Sequence, residues 1–139
     1  MVDCVELTKK YVSSQEGQTT KNKTPLSHAA VSALPQFAAW NAHDVAGIQA
    51  LHAPASALKD WDAAHGPTNE AVAQGIAGIW KAVPDIQIEI VDVYTMGPST
   101  TCVANIKVIV DASTTLKVCD VIEYDSAGLV VSLNAYKAD

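Results

Sequence analysis

In residues 36–62, QFAAWNAHDVAGIQALHAPASALKDWD, the apolar Phe37, Trp40, Val45, Ile48 and Leu51 recur near helical spacing on either side of Asn41-Ala42-His43-Asp44. That pattern predicts a helix, a tight link and a second helix. Asp44 is suited to cap the second helix, because its carboxylate accepts orphan backbone N–H groups at the positive end of the helix dipole. Ala53-Pro54-Ala55-Ser56 closes that helix, and Leu58-Lys59-Asp60-Trp61 reads as a short strand. The stretch thus sets one carboxylate, Asp60, beside the ring of Trp61, after a helix pair able to roof a pocket.

Upstream, Thr24-Pro25 is a helix start, with Thr as N-cap and Pro at the first position. Helical character continues to about Ala42, with Pro35 expected to kink or divide it. Residues 2–13 can form a short helix, and the polar run SSQEGQTTKNKT after them reads as a linker. Residues 1–25 are therefore expected to be an extension and 26–139 a single domain. Downstream, Asp62 to Pro67 is a loop. Thr68 to Val83 is a third helix with Thr68 as cap, Glu70 in its first turn and Pro84 ending it.

From Asp85 the period changes to two. Ile86 to Tyr94, Thr101 to Val110, Leu116 to Tyr124 and Leu129 to Tyr136 read as four strands. Turns at Met96-Gly97-Pro98-Ser99, Asp111-Ala112-Ser113 and Asp125-Ser126-Ala127-Gly128 join them into an antiparallel meander. Helices first and strands last indicate an α+β fold with helices on one face of a curved sheet.

The chain has 139 residues, a net charge of -6 and 49% hydrophobic residues. Its nine basic residues are all lysine. Without arginine there is no planar bidentate cation, and an acidic chain offers no basic face for nucleic acid. No apolar run is long enough to span a bilayer, and the N-terminus has no secretory pattern. Cys4, Cys102 and Cys119 are widely spaced, with no metal motif, so reduced thiols and a cytoplasmic setting are expected, with no metal or cofactor. The expected partner is a small apolar molecule, or a second copy of the chain in a homodimer through the open sheet face.

Asp120 lies among Val118, Cys119, Val121 and Ile122. An unpaired carboxyl in such a place stays neutral and can donate a hydrogen bond to a developing oxyanion. The opposing reading pairs it with Lys107 or Lys137, or leaves it exposed at the strand's end. Asp60 is either a general base in a pocket or a surface acid capping a turn. Among the histidines, His43 is expected to be exposed, His52 to favour the end of the second helix, and His65 to reach a pocket mouth. Trp40 and Trp61 are candidate pocket contacts, Trp61 as a wall. Periodicity leaves open which face of the second strand is inward: Val103, Asn105 and Lys107, or Cys102, Ala104, Ile106 and Val108. Val103 and Asn105 are named as substrate contacts; an inward Lys107 would ionise Asp120.

Two strings carry a resemblance. AAWNAHDVAGIQALHAPASALKDWD resembles the opening of the ketosteroid isomerase and SnoaL-like polyketide cyclase group of the nuclear transport factor 2-like superfamily. CDVIEYDSAGLVVSLNAY resembles its last hairpin. The likeness covers roughly residues 27–137. It implies a cone of three helices in a strongly bent mixed sheet, with a pocket between helices and sheet. It further implies Asp60 at the position of the isomerase base, Asp120 at that of the protonated acid, and Leu133 and Ala135 lining the cavity. The isomerase tyrosine falls at Gln36, a departure that puts steroid isomerisation in doubt; Tyr94 and Tyr124 are the alternative donors. The limonene-type epoxide hydrolase branch, with its Asp-Arg-Asp relay, is excluded by the lack of arginine. The function expected is a cofactor-free proton transfer on a small apolar carbonyl compound, as an isomerase or cyclase. The alternative is a ligand-binding or assembly module without chemistry.

Overall fold

The computed structural model describes residues 28–95 and 100–139, with side chains from Pro35 onward in the first segment. The expected N-terminal helix, the linker, the Thr24-Pro25 start and the turn at Met96-Gly97-Pro98-Ser99 lie outside the described residues. Helix α1 (His28–Asn41) is followed by α2 (Val45–Leu51), β1 (His52–Lys59), β2 (Ala64–His65) and α3 (Asn69–Ala82). Then come β3 (Gln87–Thr95), β4 (Thr101–Ile109), β5 (Thr115–Tyr124) and β6 (Val130–Lys137). The expected α+β architecture is present: the described helices pack on one six-stranded sheet in the order β2-β1-β6-β5-β4-β3. β3 to β6 form the antiparallel meander, and β1 joins it parallel to β6.

The caps form as their chemistry dictates. Asp44 accepts the Gly47 N–H at 3.0 Å and Thr68 Oγ1 accepts the Ala71 N–H at 3.1 Å. Pro35 lies inside α1 without dividing it. Phe37, fully buried two residues later, ties the helix to the core beyond the proline. At the far end of α1, Asn41 stitches the helix to the sheet: its Nδ2–H donates to the Ile88 carbonyl at 2.9 Å, and its Oδ1 accepts the Ile88 N–H at 2.7 Å.

Three expectations need correction. The second helix stops at Leu51, and the Ala53-Pro54-Ala55-Ser56 segment is already strand β1. Pro54 is tolerated there because the β1–β6 register shifts between His52 and Ala57, where the ladder is irregular. Asp60 and Trp61 therefore follow the strand instead of forming it. The third correction concerns His43, which is half-buried: at φ 51° it turns back so that its ring stacks on Trp80, 4.8 Å between centroids, and Nε2–H donates to the Ile86 carbonyl at 2.9 Å.

Inside and outside faces follow from the registers. Ala104 pairs with Asp120 and Asn105 with Cys119, so Cys102, Ala104, Ile106 and Val108 point into the core with Val118, Asp120, Ile122 and Tyr124. Lys107 is on the other face, 3.2 Å from Glu89. No helix among the described residues is long and apolar enough to cross a membrane.

Candidate functional site

Between the helices and the inner sheet face lies a cavity of about 550 Å³. Its walls are mainly apolar, from Phe37 and Trp40 on α1, Ile79 on α3, Leu58 on β1, and Ile106 and Val108 on β4. Such a lining favours ligands that gain by leaving water, at roughly 25 cal/mol per Å² of apolar surface buried. Five polar or acidic side chains interrupt it: Gln36, Asp60, Asp62, His65 and Asp120.

Asp120, on the inner face of β5, is 5% exposed. Strand β5 has a partner on each side, and the residues directly opposite Asp120 are Ala104 and Ala135. Neither methyl group offers a hydrogen bond. Lys107 is on the outer face with Glu89, and Lys137, a diagonal neighbour of Asp120 on the inner face, lies over the Trp61 ring and makes no ion pair with the carboxyl. Among the described residues Asp120 has no ion pair. Burial alone pushes its pKa from 3.8 up to about 7, because a charge there would lose its hydration with nothing to replace it. Near neutrality Asp120 thus interconverts between a neutral hydrogen-bond donor and a carboxylate.

Gln36 on α1 is 2% exposed, and its Oε1 has no hydrogen-bond partner. Its amide is the group that a ligand in the cavity can meet as a hydrogen-bond donor, because Oε1 itself is closed off. Neither tyrosine substitutes for it. Tyr94 is on the outer face opposite Val103, and Tyr124, though buried, does not line the cavity.

Asp60 stands where β1 gives way to a turn. Its Oδ1 accepts the N–H groups of Asp62 and Ala63, both at 2.7 Å, and its own N–H donates to the Ala63 carbonyl at 2.9 Å. Asp60 thus caps a turn with one carboxylate oxygen and also lines the cavity. Trp61, 40% exposed, forms part of the mouth.

His65 pairs with Leu58 across the β1–β2 ladder, so its ring falls on the cavity side with that leucine. Its Nε2 is buried without a partner. Gly75 on α3 makes the space: a Cβ there would collide with the His65 ring. Gly78, one turn along, has nothing within 4 Å of where a Cβ would stand and leaves the helix backbone open at the cavity wall. Each glycine weakens α3 by about 1 kcal/mol relative to alanine. Gly75→Ala should therefore destabilise the protein, whereas in a His65→Ala background the same change should stabilise it by about 1 kcal/mol. Urea melts of the four proteins check this; a gain from Gly75→Ala alone would contradict the packing described.

Of the residues singled out from the sequence, Gln36, Trp40, Asp60, Trp61, Asp120, Leu133 and Ala135 all line this cavity. Val103 and Asn105 do not, because their register puts them on the outer face; Ile106 and Val108 take their place. His52 is buried, and its Nδ1–H donates to the Ile48 carbonyl at 2.8 Å, at the end of α2. Burial pulls its pKa below the ordinary value, so it serves that carbonyl as a neutral ring. No group of three or more metal-ligating side chains occurs among the described residues.

Comparison with known proteins agrees with this architecture. Residues 35–133 match the model of the SnoaL-like domain family. A SnoaL-like protein of unknown function from Burkholderia thailandensis superposes with a TM-score of 0.68 at 16% identity, covering 81% of this chain and 95% of that one. A proposed isomerase of the SnoaL-like family from Agrobacterium tumefaciens gives 0.69 at 14% identity, covering 81% and 98%. A proposed polyketide cyclase from Sinorhizobium meliloti gives 0.62 at 15% identity, covering 76% and 93%. At these identities the likeness is one of fold. No curated protein matches the chain.

Proposed function

We propose the following function for the chain, which belongs to the SnoaL-like domain family: its cavity binds a small apolar carbonyl compound and moves a proton on it without a cofactor. The observation that carries this reading is the buried carboxyl of Asp120, without an ion pair, on the wall of an apolar cavity that a second carboxylate, Asp60, also lines. In its neutral form Asp120 donates to the ligand's carbonyl oxygen, and the bond strengthens as that oxygen gains negative charge. Gln36 supplies a second donor through its amide. Asp60 takes the proton from the adjacent carbon with the oxygen that the turn leaves free. Both acids face one apolar space, so water competes little with either step. The structural neighbours described as a proposed isomerase and a proposed polyketide cyclase support this class of chemistry.

Exchange of the α-protons of 2-tetralone in deuterium oxide, followed by NMR, tests the proposal without knowledge of the natural substrate. Catalysed exchange that stops when Asp120 and Asp60 are both replaced is the expected result. Exchange no faster than in buffer would leave the chain a ligand-binding module. The outer sheet face, with Tyr94 and Val91 exposed, further supports a homodimer. Light scattering should give twice the chain mass, and a monomer at micromolar concentration would contradict it.

A further inference from the structure

Among the described residues, every glycine but one has a reason that its surroundings supply. A Cβ at Gly47 would run into the Asp44 carboxylate that caps α2, and one at Gly75 would strike the His65 ring. Gly66 and Gly128 hold positive φ angles of 136° and 84°, which other side chains rarely adopt. Gly78 has neither reason. It sits inside α3, and nothing lies within 4 Å of where its Cβ would stand. Alanine would fit there and would favour the helix. The space that Gly78 keeps clear borders the cavity, because Gly78 is one of its lining residues.

The rest of α3 shows what kind of wall this is. Gly75, Gly78, Ile79 and Ala82 recur at helical spacing and form the side that lines the cavity, while Val72, Ala73, Ile76 and Trp80 are buried in the core. Apart from Ile79, that side carries no side chain larger than a methyl group, so it is close to bare backbone. Gly78 and Ala82 are exposed, as are Trp61 and Ala63 on the same lining, and these residues mark where the cavity meets solvent. Asp120 is buried on the inner face of β5. A ligand that meets Asp120 and is longer than the buried space therefore leaves past this rim. A flat apolar ring gains there by covering bare helix wall and the exposed Trp61 side chain.

We propose that Gly78 is a specificity-determining position, and that its missing side chain admits a flat, extended apolar ligand whose outer ring reaches the rim. The oxygen of the ligand meets Asp120, its body fills the apolar space, and its far end passes over Gly78 and Ala82. The inference names the shape and size class of the ligand for the function proposed above, and it rests on the cavity holding an apolar ligand.

Two probes, 2-naphthol and 6-phenyl-2-naphthol, share the oxygen and differ by one ring at the far end. Fluorescence titrations at pH 6 compare them. Wild type should bind the longer probe about tenfold more tightly, the gain expected from a partly buried phenyl ring. In Gly78→Leu the longer probe should lose about tenfold or more, while 2-naphthol stays within about twofold of wild type. Gly78→Ala and Gly78→Leu should both unfold at higher urea than wild type, because better helix formers replace a glycine that packs against nothing. Equal binding of the two probes to wild type would overturn the assignment of Gly78 and leave the cavity reading in place. So would undiminished binding of the longer probe to Gly78→Leu, a parallel loss of both probes, or unfolding of Gly78→Ala at lower urea. Failure of both probes to bind wild type would overturn the assignment and the cavity reading together.

Discussion

Asp60→Asn should slow α-proton exchange on 2-tetralone by about a hundredfold to ten-thousandfold, the range supplied by a positioned general base. The substitution is informative because of how the side chain is held. Asp60 Oδ1 accepts the N–H groups of Asp62 and Ala63, and an asparagine oxygen can accept both. The turn and the cavity mouth therefore stay in place while the basic oxygen is lost. Binding of a neutral naphthol should be unchanged or tighter in the variant, since no negative charge then opposes an electron-rich ligand. A loss of exchange with binding retained is the signature of a group acting in the reaction step. If the variant exchanged protons at the wild-type rate, the base would have to be sought at His65 or Asp62, which also line the cavity.

The second large effect is on stability. Asp120 has its pKa raised from 3.8 to about 7 by burial. Between those values the folded chain keeps a proton that the unfolded chain has released. Stability contributed by the neutral form is thus complete below pH 3.8, falls as the pH rises, and is gone above about pH 7. At about 1.36 kcal/mol per pKa unit, the loss over that window is roughly 4 kcal/mol. Asp120→Asn removes the titration. Urea melts should show the variant's advantage over wild type growing by a few kcal/mol between pH 4 and pH 8. Parallel pH profiles would mean that the carboxyl is paired or hydrated in solution. The same ionisation should weaken the proposed donor function of Asp120.

Asp120 also illustrates what the sequence made legible. An acid inside Val-Cys-Asp-Val-Ile is conspicuous because every neighbour argues for burial, and the period of two fixes which face it shares. The helix starts at Asp44 and Thr68 were equally clear, since a capping oxygen followed by periodic apolar residues has few other uses. What could not be read was register. On β4 both alternating sets contain apolar residues, so Val103 and Asn105 looked as suitable for the cavity as Ile106 and Val108. Only the pairing of Ala104 with Asp120 decides between them. The extent of β1 was hidden for a related reason: Pro54 signals a break, but the irregular parallel pairing with β6 accommodates it. His43 needed both a left-handed backbone and the tryptophan at the far end of α3, neither of which local spacing encodes. His65 became part of the cavity through Gly75, a contact across two elements that no motif announces.

The most direct test of the account is the pH dependence of 2-naphthol binding between pH 5 and pH 9, in a range where the naphthol itself stays largely neutral at the lower end. If the neutral carboxyl of Asp120 donates to the ligand oxygen, affinity should be constant below pH 6 and then fall towards tenfold per pH unit above about pH 7, and this fall should vanish in Asp120→Asn. Affinity that is flat across pH 7, or that rises with pH because an ionised Asp120 accepts the naphthol proton, would contradict the assignment of Asp120 as the donor.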